Sequence, residues 1–339
     1  MTVQLRRFLY RRVLLIGPIL FGVLLVTFLL VRIGDQDPVA MLAGPTASAA
    51  QIAEVRAELG LDRPVLEQFA IYIAKVATGD LGRSWLNSRP VLDDLWRRVP
   101  VTLELLLLGV GLAAAIGIPA GFAAAFRPDG RFDQISRLVS LLGFSIPTYW
   151  LGLLAIFVFF YLLGWAPPPM GRLSLMIDAP PHVTGSYVID ALLAADPDAL
   201  GSAVAQLVLP VACITIIAAA PMLKQARAIA IDVLASDYVR YARASGLPAR
   251  DIRAIVRRNS AVPLLTFAGT ELTGLVGTSS LIELVFAWGG MGQYGLSAIL
   301  EGDFTAVQGY VLFVACFSLL VFVVVDLLVM LLEPRAQTA

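Results

Sequence analysis

Long apolar stretches alternate with short charged connections along this chain. The first, Val13 to Val31, has 19 residues, enough at ~1.5 Å per residue to cover roughly the ~30 Å hydrocarbon core of a bilayer. Runs of similar character follow at 101–126, 138–163, about 203–223, about 261–287 and 306–332. The pattern therefore predicts an all-α polytopic membrane protein with six transmembrane helices. Pro119, Pro147, Pro210 and Pro221 fall inside these runs. Each is expected to kink or break its span, which is tolerable where neighbouring helices or water satisfy the freed carbonyls.

Between the runs, two segments carry structure of their own. In the 34–100 loop, Ala53 to Leu59 and Val65 to Val76 have helical apolar spacing, with Pro64 at a start and Gly79 just past an end; a small helical cap is predicted. Its charges Asp93, Asp94, Arg97 and Arg98 either meet a soluble partner or stay hydrated. In the 236–258 loop, Ser236 stands at an N-cap position, Asp237 in the first turn, and Gly246 with Pro248 supplies a stop and a restart. A helix of about two to three turns is expected there, with Arg240 and Arg243 on one face and Tyr238, Tyr241, Ala242 and Ser245 on another. By periodicity alone this is either a docking surface or a solvated connection.

Composition narrows the options. Hydrophobic residues make up 58% and charged ones 15%, against about 25% charged in an average soluble domain. The formal net charge is zero, which gives no reason to expect a nucleic-acid partner. Neither lysine, Lys75 after Ala74 or Lys224 after Leu223, sits in a Gly-Lys-Ser/Thr phosphate loop, so no ATP site of that kind is expected. The single His182 follows Pro180 and Pro181 and reads as a solvated loop residue; it excludes a two-His metal site, and no G-x-S-x-G elbow accompanies it. No catalytic residue and no metal are expected. Cys213 and Cys316 lie in separate apolar runs and read as small buried hydrophobes.

The arginines set the orientation. Arg6, Arg7, Arg11 and Arg12 precede the first run; Arg127, Arg131 and Arg137 follow the second; Lys224, Arg227, Arg240, Arg243, Arg250, Arg253, Arg257 and Arg258 surround the 236–258 loop; Arg335 closes the chain. The opposite loops are acidic, with Asp178, Asp190, Asp196 and Asp198 against Arg172, and Glu301 and Asp303 with no basic residue. The positive-inside pattern puts both termini in the cytoplasm. A cleavable signal peptide is the rival for the first run, with Ala47-Ser48-Ala49 downstream; the run exceeds the ~7–15 residues of a signal core, which favours an uncleaved helix. The expected organisation is 1–33, an N-terminal segment and first span; 34–100, an external helical loop; 101–332, a transmembrane core that includes the 236–258 loop; and 333–339, a cytoplasmic tail.

An ordered set of segments resembles the membrane subunits of bacterial dipeptide and oligopeptide ABC importers. They include Asp35-Gln36-Asp37-Pro38, Glu58-Leu59-Gly60-Leu61-Asp62-Arg63-Pro64, Gly79-Asp80-Leu81-Gly82-Arg83-Ser84, Phe144-Ser145-Ile146-Pro147-Thr148-Tyr149-Trp150 and Val285-Phe286-Ala287-Trp288-Gly289-Gly290-Met291-Gly292. The resemblance implies the type I importer permease fold and makes the 236–258 loop the EAA loop, whose coupling helix docks on an ATPase. Carried over are Asp237, Tyr238, Arg240, Ala242, Arg243, Ala244 and Gly246. Arg240 and Tyr241 stand where Glu and Ala are usual in the general pattern, as is common in the peptide branch, and Ser245 stands where that branch often has Lys.

The partners so implied are a second permease, two ATPase subunits that hold the ATP and magnesium, a periplasmic or lipid-anchored binding protein, and membrane lipid. No cofactor is implied in this chain. The site is the bacterial inner membrane and the mechanism alternating access; glutathione, nickel chelates and oligosaccharides are alternative cargoes. Along the fifth run, Glu271, Thr273, Ser279, Ser280 and Glu283, with several glycines, form a polar strip. Ionisable groups at membrane depth usually face an aqueous path or a bundle interior. Glu271 is the first candidate to line the pathway, or else it is satisfied by a neighbouring helix, while the glycines serve close packing. An ion-coupled secondary transporter would need a relay for which only Glu271 is an obvious candidate, and an intramembrane enzyme lacks its constellation.

Overall fold

A computed structural model describes residues 3–33, 48, 50, 51, 53, 56 and 62–332. Most of the expected Ala53 to Leu59 helix, the Asp35 to Pro38 motif and the 333–339 tail lie outside the described residues. Among the described residues the architecture is helical, with one isolated bridge between Arg83 and Pro90. The chain forms two units, one of residues 1–99 with 294–319 and the other of 100–293 with 320–339.

In the first unit, α1 (Val3–Ile33) and α2 (Val65–Ala77) meet through aromatic rings. Phe28 is buried and lies 4.9 Å from Phe69 and 5.9 Å from Tyr72, ring centre to ring centre. The helix expected over Val65 to Val76 thus forms, and it ends at Gly79, whose φ of 82° lets the N–H of Asp80 reach the carbonyl of Lys75 at 2.9 Å. The following loop is tied down by Asp303, a buried carboxylate that accepts from the Ser84 hydroxyl at 2.5 Å, the Trp85 N–H at 3.0 Å and the Ala306 N–H at 3.0 Å.

The second unit contains most of α3 (Val91–Ala125), then α4 (Arg131–Ser145), α5 (Thr148–Ala155) with a π-helical extension Ile156–Leu162, α6 (Tyr187–Leu193), α7 (Pro197–Ala235), α8 (Asp237–Ala244) and α9 (Ala249–Val285). Beyond it come α10 (Met291–Glu301) and α11 (Phe304–Leu332). By length and composition α3, α7 and α11 can each cross a membrane. The helices are longer than the apolar runs because their polar ends are also good helix formers; α7, at 39 residues, continues past the expected 203–223 at both ends.

The run over 138–163 is interrupted where Pro147 is expected to kink or break it, giving a bent pair, α4 and α5 meeting at 98°. Pro147 has no N–H to donate and forces Ile146 into extended backbone (φ −77°, ψ 122°). The prolines 119, 210 and 221 stay within continuous helices. α1 offers only a shorter apolar segment, Leu14–Leu30, and α9, though 37 residues long, is too polar to join the apolar set.

Burial in α4 is inverted. Asp133, Ser136 and Ser140 are buried, while Phe132, Ile135, Leu138, Val139, Leu141 and Leu142 are exposed. A water-facing helix would do the reverse, so this helix is built for an apolar surround. Cys213 is buried as expected, but Cys316 is exposed on α11, which corrects its reading as a buried hydrophobe; His182 is exposed.

Two apolar clusters mark the ends of the α3–α7–α9 bundle. One joins Val101, Leu105, Leu207, Val211, Ile214, Ile282, Phe286 and Trp288; the other joins Phe122, Ala125, Ala226, Ala230, Val239, Ala242, Ile252 and Val256. α3 and α7 therefore run parallel and α9 antiparallel to them. Close approach needs Gly121, where an added Cβ would lie 2.6 Å from the Leu223 carbonyl oxygen.

Candidate functional site

The turn that carries α8 is set by its sequence. Ser236 occupies the N-cap position, yet its hydroxyl donates to the Val233 carbonyl at 2.6 Å instead of capping α8. Asp237, in the first turn, pairs with Arg240. At the other end the N–H of Leu247 reaches the carbonyl of Ala242 at 3.2 Å and that of Gly246 reaches Arg243 at 3.0 Å. This paired closure requires the left-handed residue that Gly246 supplies at φ 78°.

α8 is sharply two-faced. Val239 is fully buried and Ala242 nearly so, both within the cluster shared with α3, α7 and α9. Asp237, Tyr238, Arg240, Tyr241, Arg243, Ala244 and Gly246 are exposed, Tyr241 by 76%. Ala242 therefore turns inward, away from the tyrosine face on which its spacing had placed it. Val239 escaped notice as an anchor, although its i,i+3 relation to Ala242 is the available signal.

A buried ion pair braces the adjoining bundle. Arg227 of α7 binds Asp133 of α4 in a two-pronged contact, with Nη2 to Oδ2 at 2.9 Å, and the backbone N–H of Asp129 donates to the same carboxylate at 3.0 Å. A bidentate guanidinium contact fixes direction as well as distance.

The polar strip of α9 divides between two faces. Thr266, Thr270, Gly274, Gly277 and Thr278 are exposed, and Glu271 and Thr273 are half-buried. Among the described residues Glu271 makes no hydrogen bond or ion pair. Ser279, Ser280 and Glu283 are buried. Glu283 has no exposed surface; it accepts from the Thr102 hydroxyl at 2.7 Å and the Gln293 N–H at 2.8 Å, and Thr102 in turn accepts from the Met291 N–H at 2.8 Å. Gly290 and Gly292 lie so close that a Cβ on Gly290 would be 2.6 Å from the carboxylate. Trp288 completes this knot by donating Nε1–H to the Val101 carbonyl at 3.3 Å.

Near the same end of α3, Asp190 of α6 organises the preceding loop. It accepts from the N–H and the hydroxyl of Thr184, both at 2.7 Å, and from the N–H groups of Gly185 at 3.0 Å and Val183 at 3.3 Å. Burial alone would push its carboxyl up, but these donors outweigh burial and hold it below its ordinary value. Arg172 lies 3.6 Å from the centre of the Tyr187 ring and donates to the Gly185 carbonyl at 2.8 Å; burial lowers the pKa of its guanidinium.

An exposed, charged helical turn is thus seated on a bundle in which α3 and α7 are long and apolar enough to cross a membrane. The chain belongs to the family of binding-protein-dependent transport system inner membrane components, which it matches over residues 117–338, with the N-terminal component of the same systems matched over 5–106.

Among its relatives, the probable D,D-dipeptide transport system permease protein DdpB of Escherichia coli K12 is 38% identical over 315 residues, covering 93% of this chain and 92% of that protein. The di/tripeptide transport system permease protein DppB of Pseudomonas aeruginosa is 38% identical over 332 residues, covering 97% and 98%. The dipeptide transport system permease protein DppB of Alkalihalophilus pseudofirmus is 33% identical over 328 residues, covering 96% and 98%.

Proposed function

We propose that this chain is one of two permease subunits of an ATP-driven importer that moves di- and oligopeptides across the bacterial cytoplasmic membrane by alternating access. The peptide-transport names of relatives that align over nearly their whole length support the cargo. In this reading α1, α3, the α4–α5 pair, α7, α9 and α11 are the six spans. Both termini and the 236–258 loop face the cytoplasm, and the 34–100 segment faces outward with its helical cap. A second permease, two ATPases carrying ATP and magnesium, and a binding protein complete the machine.

The observation that carries the proposal is the two-faced geometry of α8. Val239 and Ala242 are sunk in a core shared with α7 and α9, while Asp237, Tyr238, Arg240, Arg243 and Ala244 are exposed, open to an ATPase. A push on the free face moves the anchors, and with them the start of α9, whose open strip of Thr266, Thr270, Glu271 and Thr273 faces the peptide path. Ser279, Ser280 and Glu283, further along α9, shape that path from behind. Nucleotide and peptide act on the same equilibrium through their different affinities for its two states.

The test is peptide uptake by the reconstituted assembly carrying Arg243→Glu together with Tyr241→Ala. Membrane insertion should persist while uptake and peptide-stimulated ATP hydrolysis are lost. Undiminished uptake would remove α8 from the coupling path.

A further inference from the structure

At the α8 end of the bundle a cavity of about 670 Å³ lies between the end of α3, the start of α4 and the start of α9. Its walls have two chemistries. Ile118, Phe122, Phe126 and Phe132 supply apolar surface, and Arg127, Arg253 and Arg257 supply three positive charges. Among the described residues none of these arginines has a carboxylate within ion-pair distance, and the nearby acids Asp129 and Asp133 are engaged by Arg137 and Arg227. Arg253 also donates its Nε–H to the Ala249 carbonyl at 3.3 Å, so the positive charge around the cavity is left without a neutralising carboxylate among the described residues, a setting that favours an anion. Phe132 also belongs to the exposed apolar face of α4 with Ile135 and Val139, so the greasy wall runs on into a surface made for hydrocarbon.

We propose that this cavity is a binding site for an anionic phospholipid. Arg127, Arg253 and Arg257 hold the phosphate, and an acyl chain lies against Phe122, Phe126 and Phe132. Charge complementarity selects the headgroup, since guanidinium groups without a carboxylate partner, between helices at a membrane edge, suit a lipid phosphate. The continuous apolar wall selects a lipid over a soluble anion. Phe122 also belongs to the cluster that seats Val239 and Ala242, so the lipid would rest against the seat of α8. The proposal needs that end of the bundle to lie at a bilayer surface; it does not need the coupling role of α8.

The test is native mass spectrometry of the full chain released from nanodiscs of phosphatidylcholine doped with phosphatidylglycerol. Wild-type protein should retain phosphatidylglycerol selectively. The triple substitution R127Q/R253Q/R257Q should weaken retention by about tenfold to a hundredfold, the triple lysine version should retain it, and Arg250→Gln, which does not line the cavity, should leave lipid retention unchanged. Phe132→Ala should weaken retention less than the glutamine triple.

Equal retention by wild type and the glutamine triple overturns the proposal. So does full displacement from wild type by soluble glycerol phosphate, which would mark a site for a free anion. Repeating the measurement on the assembled transporter closes the remaining route: if wild type then holds no phosphatidylglycerol and the glutamine triple no longer recruits the ATPase, the arginines belong to that subunit and the lipid site is refuted. Should the glutamine triple fail to insert, selective retention by wild type and the lysine triple still decides, because a site blind to lipid charge would show no preference over phosphatidylcholine.

Discussion

The two ends of α9 handle polar groups in opposite ways. At its C-terminal end a carboxylate with no exposed surface, Glu283, is enclosed by Thr102, Gln293, two glycines and Trp288. At its N-terminal end the adjoining α8 buries Val239 and Ala242 in an apolar cluster, and its charged residues are exposed. A buried polar knot is rigid because each group loses a partner if any one moves. An apolar seat is non-directional and lets a short helix tilt as a unit. In the proposed function one end of α9 is thus locked and the other driven, which is the asymmetry a coupled gate needs.

Breaking the lock should have the largest effect. Glu283→Ala strands the Thr102 hydroxyl and the Gln293 N–H without their acceptor, and we expect a loss of about 3 kcal/mol. Glu283→Gln keeps one acceptor oxygen in place and should lose less. Thermal unfolding of detergent-solubilised protein followed by size-exclusion fluorescence reads both. Equal stability of Glu283→Ala and wild type would mean the knot is ornamental.

Loosening the seat comes next. Val239→Ala removes two buried methyl groups and should lose about 2 kcal/mol, part of it from the cavity left behind. Tyr241→Ala, at an exposed site on the opposite face, should leave stability within about 0.5 kcal/mol of wild type. Transport and stability should separate in this pair: Val239→Ala lowers both, and Tyr241→Ala lowers transport and peptide-stimulated ATP hydrolysis without lowering stability. A Tyr241 variant that unfolds early would show that the face called open is packed.

The driven end was more legible than the locked one, for a physical reason. α8 is specified by neighbours in sequence: Asp237 in the first turn, a left-handed glycine at 246 and Pro248 as a restart. Even so, the hydroxyl of Ser236 turned back to Val233, because the carbonyl at the end of α7, which also accepts the Ser236 N–H at 3.2 Å, competes for it. Pro147 was legible as an interruption, but the 98° bend depends on what α4 and α5 pack against. The knot depends on partners that no local pattern connects, Thr102 and Glu283 lying 181 positions apart, and the brace at the other end is equally non-local, with Asp133 and Arg227 94 apart. Glu283 and Glu271 look alike along the chain, twelve positions apart on one helix, and only tertiary placement encloses the first and half-exposes the second.

The closure of α8 offers a smaller perturbation. An added Cβ at Gly246 meets no atom within 4 Å, so Gly246→Ala suffers only the left-handed backbone, about 1 kcal/mol. Gly246→Asn should suffer less, since asparagine tolerates that region. Hydrogen exchange confined to residues 237–247 is the appropriate measurement. Faster exchange in the Ala variant with no change around residues 283–293 is expected, and a global change would indicate that the two ends are less independent than their packing implies.

The mildest probe is acid. Asp190, at the locked end, has a folded-state pKa held below its ordinary value by the Thr184, Gly185 and Val183 donors, against the opposing effect of burial. A depressed carboxylate stabilises fully above the unfolded-state pKa, near 4, and that stabilisation fades as pH falls from there through the folded-state value. Lowering pH through this window should therefore loosen residues 183–193, read as faster proteolysis of that loop, with little change in 237–247, where Asp237 is exposed. Asp190→Asn should flatten the response, because the amide cannot gain a charge at high pH and must leave part of the donor set without an acceptor throughout. Identical acid sensitivity in wild type and Asp190→Asn would move the pH-dependent group elsewhere in the loop and leave Asp190 as one hydrogen-bond acceptor among several.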